Sequence, residues 1–358
     1  MRNDPGSAPA RSGPFQSIQV LRGVAALMVV VYHWHDVEQA FGKGPAILDG
    51  LVRFGYAGVD IFFVISGFVM AIIAKGQFAS PHHAGRFLLD RGLRVLPPYW
   101  IYTSMVVALS ILATGVLNAD SAGKSILASF VLWPQAGFPL LPVGWTLTYE
   151  AYFYLVVAIA IATVREQRFT VFLCGWAALI SLAPLLRPDT PWQEVIASPM
   201  GWEFIAGALI GIHWQRFPAR LASPMFWLGT LGFLLAAMLL NTLGIYTHPP
   251  WLRTVVFGSC SALIVLGLVV GEAACPRPAY RVLRRVGDAS YSIYLSHLFV
   301  IKLVAHLWVR TGMNQTPWTH LVFALLALAA SAVVGVVSYR WLERPCLRLG
   351  KRWLQGLR

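Results

Sequence analysis

The segment VLRGVAALMVVVYHW, Val20 to Trp34, decides how the rest of the chain is read. With its flanks it forms an apolar run over 17–36, and about 20 such residues rising 1.5 Å each cross a hydrocarbon core of about 30 Å. Its position near the N-terminus invites comparison with a secretory leader. It carries Arg22 and His33, however, has no Ala-x-Ala-type exit and is followed by many similar runs, so it reads as the first transmembrane helix.

Working outward, the same pattern recurs. The 358 residues are 57% hydrophobic and 12% charged, too little polar surface to cover a water-soluble globule. Apolar runs between polar or Pro/Gly punctuation predict helices at 17–36, 56–74, 92–116, 145–163, 169–186, 199–215, 224–242, 252–271, 288–309 and 319–341. A barrel would instead show alternating segments of about ten residues. The stretch 126–133 is too short to span and is expected at the interface or as a re-entrant segment. The fold class is an all-α integral membrane bundle of about ten helices. A tail over 1–16, a transmembrane domain over 17–342 and a basic tail over 343–358 complete the expected organisation, with no internal repeat and no appended soluble domain.

Lys and Arg retained in alternate loops set the direction. Twenty of the 28 fall on the side of the termini, six on the other, and Arg22 and Lys302 lie within spans, so both termini are expected to be cytoplasmic. The net charge of +13 is accounted for by this asymmetry and by anionic lipid headgroups, and nucleic acid is not an expected partner. Cys174, Cys260, Cys275 and Cys346 are scattered, without a CxxC pair or a histidine at ligand spacing, so neither a disulfide framework nor a metal site is expected.

An ionisable group at the bilayer centre costs at least about 2.5 kcal/mol, so several in one chain require partners or a polar cavity. Arg22 and His33 are eleven residues apart, three turns plus about 20°, and share one helix face about 16 Å apart. Asp36 is placed to orient His33. Counted from their loops, Asp60, Glu150 and Glu203 reach the depth of His33, and His297 lies near the midplane. If those faces converge, they form one polar cluster in the outer half of the bundle, the competing reading being separate structural hydrogen bonders. Arg91 and Arg94, one turn apart ahead of Pro97 and Pro98, offer two guanidiniums at a helix start, suited to phosphates or to simple anchoring in headgroups. Trp145 is a belt residue or a platform for a sugar ring.

These segments resemble the membrane acyltransferase-3 family. The resemblance rests on Leu21-Arg22-Gly23 with His33, on Gly58-Val59-Asp60-Ile61-Phe62-Phe63-Val64-Ile65-Ser66-Gly67-Phe68, and on Arg91-Gly92-Leu93-Arg94-Val95-Leu96-Pro97. It continues through Gly144-Trp145-Thr146-Leu147-Thr148-Tyr149-Glu150, Ser290-Tyr291-Ser292-Ile293-Tyr294-Leu295-Ser296-His297 and Glu343-Arg344-Pro345. It implies ten helices and O-acylation, with acyl-CoA, most simply acetyl-CoA, as cytoplasmic donor. The acceptor would be a hydroxyl of an extracytoplasmic or lipid-linked polysaccharide, within a polysaccharide biosynthesis complex in a bacterial inner membrane. The family's key histidine maps onto His33, its first-helix arginine onto Arg22, its Arg-x-x-Arg pair onto Arg91 and Arg94, and its acid onto Glu150, with Thr146 and Thr148 where the family has serines. The chain stops at Arg358 and looks like the stand-alone kind, similar to exopolysaccharide acetyltransferases.

Three readings follow. In the first, an acyltransferase, Arg91 and Arg94 hold the donor's phosphates. His33 serves as general base or carries the acyl group, set by Asp36 or Glu150, and Arg22 faces a thioester oxyanion or a phosphate. Asp60, Trp145 and His297 are the expected acceptor-side residues. In the second, a proton-coupled transporter, the same charges form a relay. In the third the chain is a structural partner in polysaccharide export.

Overall fold

The computed structural model describes residues 15–43, 48, 50, 52–112, 125–186, 188–245, 249–275 and 281–356. Among the described residues ten helices are long and apolar enough to cross a membrane. The spanning helices are α1 (Gln16–Phe41), α2 (Gly58–Ala74), α3 (Pro81–Leu112), α4 (Trp145–Thr163) and α5 (Phe169–Leu182). They continue with α6 (Gly201–His213), α7 (Ala222–Thr242), α8 (Ser259–Ala274), α9 (Ser290–Arg310) and α10 (Pro317–Ser338). The shorter ones cross together with their flanking turns, α5 within Glu166–Leu185, α6 within Pro191–Arg216 and α8 within Pro250–Ala274. No strand occurs among the described residues. The N-terminal tail 1–14 and the loop or terminal cations Lys124, Arg187, Arg277 and Arg358, with His248, lie outside the described residues.

The helices divide by burial. α2 is the most enclosed span, and its Asp60, Val64 and Phe68 are shut off from the surface. α7, apolar on all sides, exposes Leu228, Leu231 and Leu235, as expected of a face against lipid. Close approach of α2 and α6 depends on two glycines. A Cβ at Gly67 would stand 1.9 Å from the Phe204 carbonyl oxygen, and one at Gly207 would stand 1.9 Å from that of Val64. Small residues bring backbones together in membranes, where dispersion and packing rather than a hydrophobic drive hold helices to one another.

The start of α1 is tied to the end of α8. The Glu272 carboxylate accepts from the Gln16 and Ser17 amides at 3.0 and 2.8 Å and from the Ser17 hydroxyl at 2.6 Å. This satisfies amides that a helix N-terminus leaves open and places an acid at its positive end.

One expectation is corrected. The third helix begins at Pro81, not near 92, so Arg91 and Arg94 lie about three turns inside it rather than at its start. Pro97 and Pro98 sit within the same helix. The residues 81–91 are too polar to register as an apolar run, yet they form helix, because hydropathy marks the membrane and not the hydrogen-bond ladder. At the other end, the expected tail from 343 is helical: a π turn, Tyr339–Glu343, leads from α10 into a helix over Arg344–Gly356, whose Gly350 lies beside Leu93. The stretch 126–133 forms a short helix, Ile126–Phe130, held against α3 by bonds from the Tyr99 hydroxyl to Ser129 O at 2.7 Å and from Trp100 Nε1 to Phe130 O at 2.8 Å.

Candidate active site

A cavity of about 100 Å³ opens between α1, α2, α3, α4 and α9. Arg22, Arg91 and Arg94 line it together with Glu150. Arg22 projects from α1; its Nη1 has only a long contact of 3.4 Å to Gln19. Arg91 Nε is enclosed and has no hydrogen-bond partner among the described residues. Among the described residues none of these three guanidiniums forms a salt bridge. Glu150 is occupied by neutral partners, accepting from Ser66 Oγ at 3.2 Å and from the Tyr154 hydroxyl. The charges that act on Arg22 are those of Arg94, then Glu343 and Glu150. Three cations gathered in a low-dielectric pocket against one lining carboxylate form a site for an anion, and guanidinium forks match phosphate.

The second group lies farther along α1. His33 Nδ1 is 3.5 Å from Asp36 Oδ2, and both side chains are partly open, at 27% and 49%. The His33 ring lies 5.2 Å from that of His297, which is fully buried. His297 Nδ1 faces the carbonyl oxygens of Tyr294 at 2.7 Å and Ile293 at 3.2 Å. Carbonyls only accept, so Nδ1 carries a proton, while Nε2 has no hydrogen-bond partner among the described residues.

Rings connect the two groups. Phe62 and Tyr294 line the arginine cavity and meet at 6.1 Å, and Tyr294 lies 6.0 Å from His297. The Tyr294 hydroxyl is pinned to Val143 O at 2.9 Å and to Thr146 Oγ1 at 2.8 Å. The expected groove is therefore interrupted at Tyr294, and His33, Asp36 and His297 do not line the arginine cavity.

The remaining acids join neither group. Asp60, expected on the acceptor side, is fully buried and holds Arg253 from the segment before α8, with Nη2–Oδ2 at 2.7 Å and Nε–Oδ1 at 3.0 Å. The Arg253 guanidinium also covers the Tyr56 ring at 4.8 Å. Glu203 is buried beside the Asp60–Arg253 pair and Thr254. Trp145 packs edge-on against Tyr149 at 5.7 Å, outside the cavity. Glu150 belongs with the arginines, not with His33. Depth counted along a helix gives height but not rotation, and rotation has split the single cluster into three.

Several residues were not singled out from sequence. Ser66, Tyr154, Tyr291 and Tyr294 line the cavity, and Glu343 accepts from Ser292 Oγ at 2.6 Å close behind it. The spacing of Tyr291, Tyr294 and His297 at i, i+3 and i+6 was the available signal. A separate triad also escaped notice. Glu38, buried, bridges His320 Nδ1 at 2.8 Å and His35 Nδ1 at 3.1 Å, fastening the end of α1 to the start of α10.

Comparison with known proteins places the chain in a family. Residues 15–340 match the acyltransferase domain of the Acyl_transf_3 family. The exopolysaccharide production protein ExoZ of Rhizobium meliloti is 34% identical over 307 residues, 83% of this chain and 91% of that protein. Nodulation protein 10 of Rhizobium leguminosarum bv. viciae is 28% identical over 94% of this chain and 95% of its own length. The peptidoglycan O-acetyltransferase OatA of Listeria monocytogenes is 23% identical over 93% of this chain, which spans 56% of it. No solved structure matches. With the family match running through nearly every span, the chain belongs to the acyltransferase-3 family and is a multi-pass membrane O-acetyltransferase of the exopolysaccharide acetyltransferase-like kind.

Proposed function

We propose that the protein takes an acetyl group from acetyl-CoA, or another acyl-CoA, on the cytoplasmic side and delivers it to a hydroxyl of an extracytoplasmic or lipid-linked polysaccharide. Both termini are then cytoplasmic and the membrane is the bacterial inner membrane, a reading supported by the excess of Lys and Arg in the loops on that side. The observation that carries the proposal is the set of guanidiniums of Arg22, Arg91 and Arg94 in one cavity, none in a salt bridge among the described residues, with His33 about 16 Å farther along the helix that carries Arg22.

The donor supplies an activated thioester; the chain's own groups do the rest. Arg91 and Arg94 bind phosphate, for which Arg91 Nε, without a hydrogen-bond partner among the described residues, is available. The cavity holds a group of phosphate size, so passage of a longer arm towards His33 requires the Tyr294 and Phe62 rings to swing aside. Asp36 orients His33, whose imidazole takes the acceptor hydroxyl's proton. His297 stands beside His33 on the acceptor side of Tyr294 in this proposal, whereas Asp60, held by Arg253, and Trp145, packed on Tyr149, lie apart from it. Assay of purified protein with radiolabelled acetyl-CoA and a polysaccharide acceptor tests it: label appears on the acceptor with wild type and not with His33→Ala. Solute flux without label transfer would instead favour a transporter.

A further inference from the structure

A second, larger cavity lies on the opposite face of α1 from Arg22 and His33. It has a volume of about 810 Å³ and is walled by α1, α7 and α8. Its sides are apolar: Val24 and Met28 from α1, Phe233 and Leu234 from α7, Ile264 and Leu268 from α8. Val24 is 44% exposed and Leu234 54%, so the cavity opens laterally at bilayer depth. Gly267 brings α8 against the α7 backbone at the cavity's edge, where a Cβ would stand 2.6 Å from Phe226 N. Water does not satisfy such walls within the hydrocarbon, whereas an acyl chain does.

The charge at its mouth selects among lipids. The cavity reaches Ser17, Cys275 and Leu283, at the membrane face where α1 begins. Leu283 belongs to a short surface helix, Arg281–Asp288, whose Arg281, Arg284 and Arg285 are exposed. Arg220 precedes the cavity-lining Ala222 on the neighbouring turn. The carboxylate at the mouth, Glu272, is engaged by the amides and hydroxyl at the start of α1. Exposed guanidiniums beside an apolar slot complement a lipid that is negative at the headgroup and apolar below it.

We infer that this lateral cavity is a binding site for one anionic phospholipid, with an acyl chain between α1, α7 and α8 and its phosphate against the arginines of the 281–288 helix. The site stands apart from the transfer reaction and does not depend on it.

The test is native mass spectrometry of the full-length protein taken from nanodiscs of equal phosphatidylglycerol and phosphatidylcholine. Wild type is expected to retain one phosphatidylglycerol, enriched at least fivefold over phosphatidylcholine. Val24→Trp/Thr230→Trp, which fills the slot from exposed or partly exposed positions, is expected to lose the retained lipid while melting at the wild-type temperature. Arg284→Gln/Arg285→Gln is expected to keep a lipid but lose the enrichment. Lipids retained by wild type at the bulk ratio would overturn the assignment whatever the variants do. So would phosphatidylglycerol retained undiminished by the filled variant, or a wild-type dimer that the filled variant separates, which would make the occupant a second copy.

Discussion

The imidazole of His297 lies 5.2 Å from that of His33, and its Nδ1 is committed to the Tyr294 carbonyl at 2.7 Å. A buried histidine so fixed lies beside the one histidine on α1 that is partly open and has a carboxylate next to it. His297 is thus placed to hold the orientation of His33 without itself being reached from outside.

His297→Gln is expected to lower kcat by about 10- to 100-fold, a fraction of the ~10²–10⁴ that a positioned acid–base contributes, while KM for the acyl donor changes less than threefold. Steady-state kinetics on purified protein provide the check. An equal change in both parameters would assign His297 to substrate binding instead.

Arg94→Ala and Arg91→Ala should act chiefly on the donor. Each removes a charge-assisted bond worth about 1.5–3 kcal/mol, which corresponds to about 10- to 150-fold in affinity. Binding of CoA itself, measured by titration calorimetry, is expected to weaken accordingly, and Arg94→Lys to recover only part of it because the fork geometry is lost.

The Asp60–Arg253 pair should behave as a structural ion pair. Removing one member leaves the other buried and uncompensated, so Asp60→Ala is expected to destabilise by about 3–5 kcal/mol. Asp60→Leu combined with Arg253→Met should recover much of that loss, as read from thermal melting in detergent. If Asp60→Ala melts like wild type but loses activity, the residue belongs to the site.

Gly207→Val is expected to prevent accumulation of folded protein, since its side chain has no room against the Val64 carbonyl. Gly85→Ala, with nothing within 4 Å of the added carbon, serves as the neutral control. Size-exclusion profiles of the two variants distinguish local packing from general intolerance of α-helical glycine changes.

The number and order of spans were legible because 20-residue apolar runs report the bilayer directly. Helix ends were not. The polar turns at 81–91 and the basic run at 344–356 continue their helices outside the apolar window, which moved Arg91 and Arg94 from a helix start to a helix interior. Arg22, Arg91, Arg94 and Glu150 were all singled out from sequence, and they share one cavity. Their separation from His33 depends on the rotations of α4 and α9, which bring Tyr294 between them, and rotation is fixed by packing partners that a single span does not reveal. The same holds for the Glu38 bridge between His35 and His320, whose members come from opposite ends of the chain.

The central claim is that the cavity arginines on one side of Tyr294 and His33 on the other form a single acyl-transfer apparatus. Mass analysis of surface polysaccharide from cells with matched membrane levels of wild type, His33→Ala and Arg94→Ala tests it most directly. The account predicts an O-acetyl mass increment with wild type that disappears with His33→Ala and falls at least tenfold with Arg94→Ala; an undiminished increment in the His33→Ala cells would contradict it.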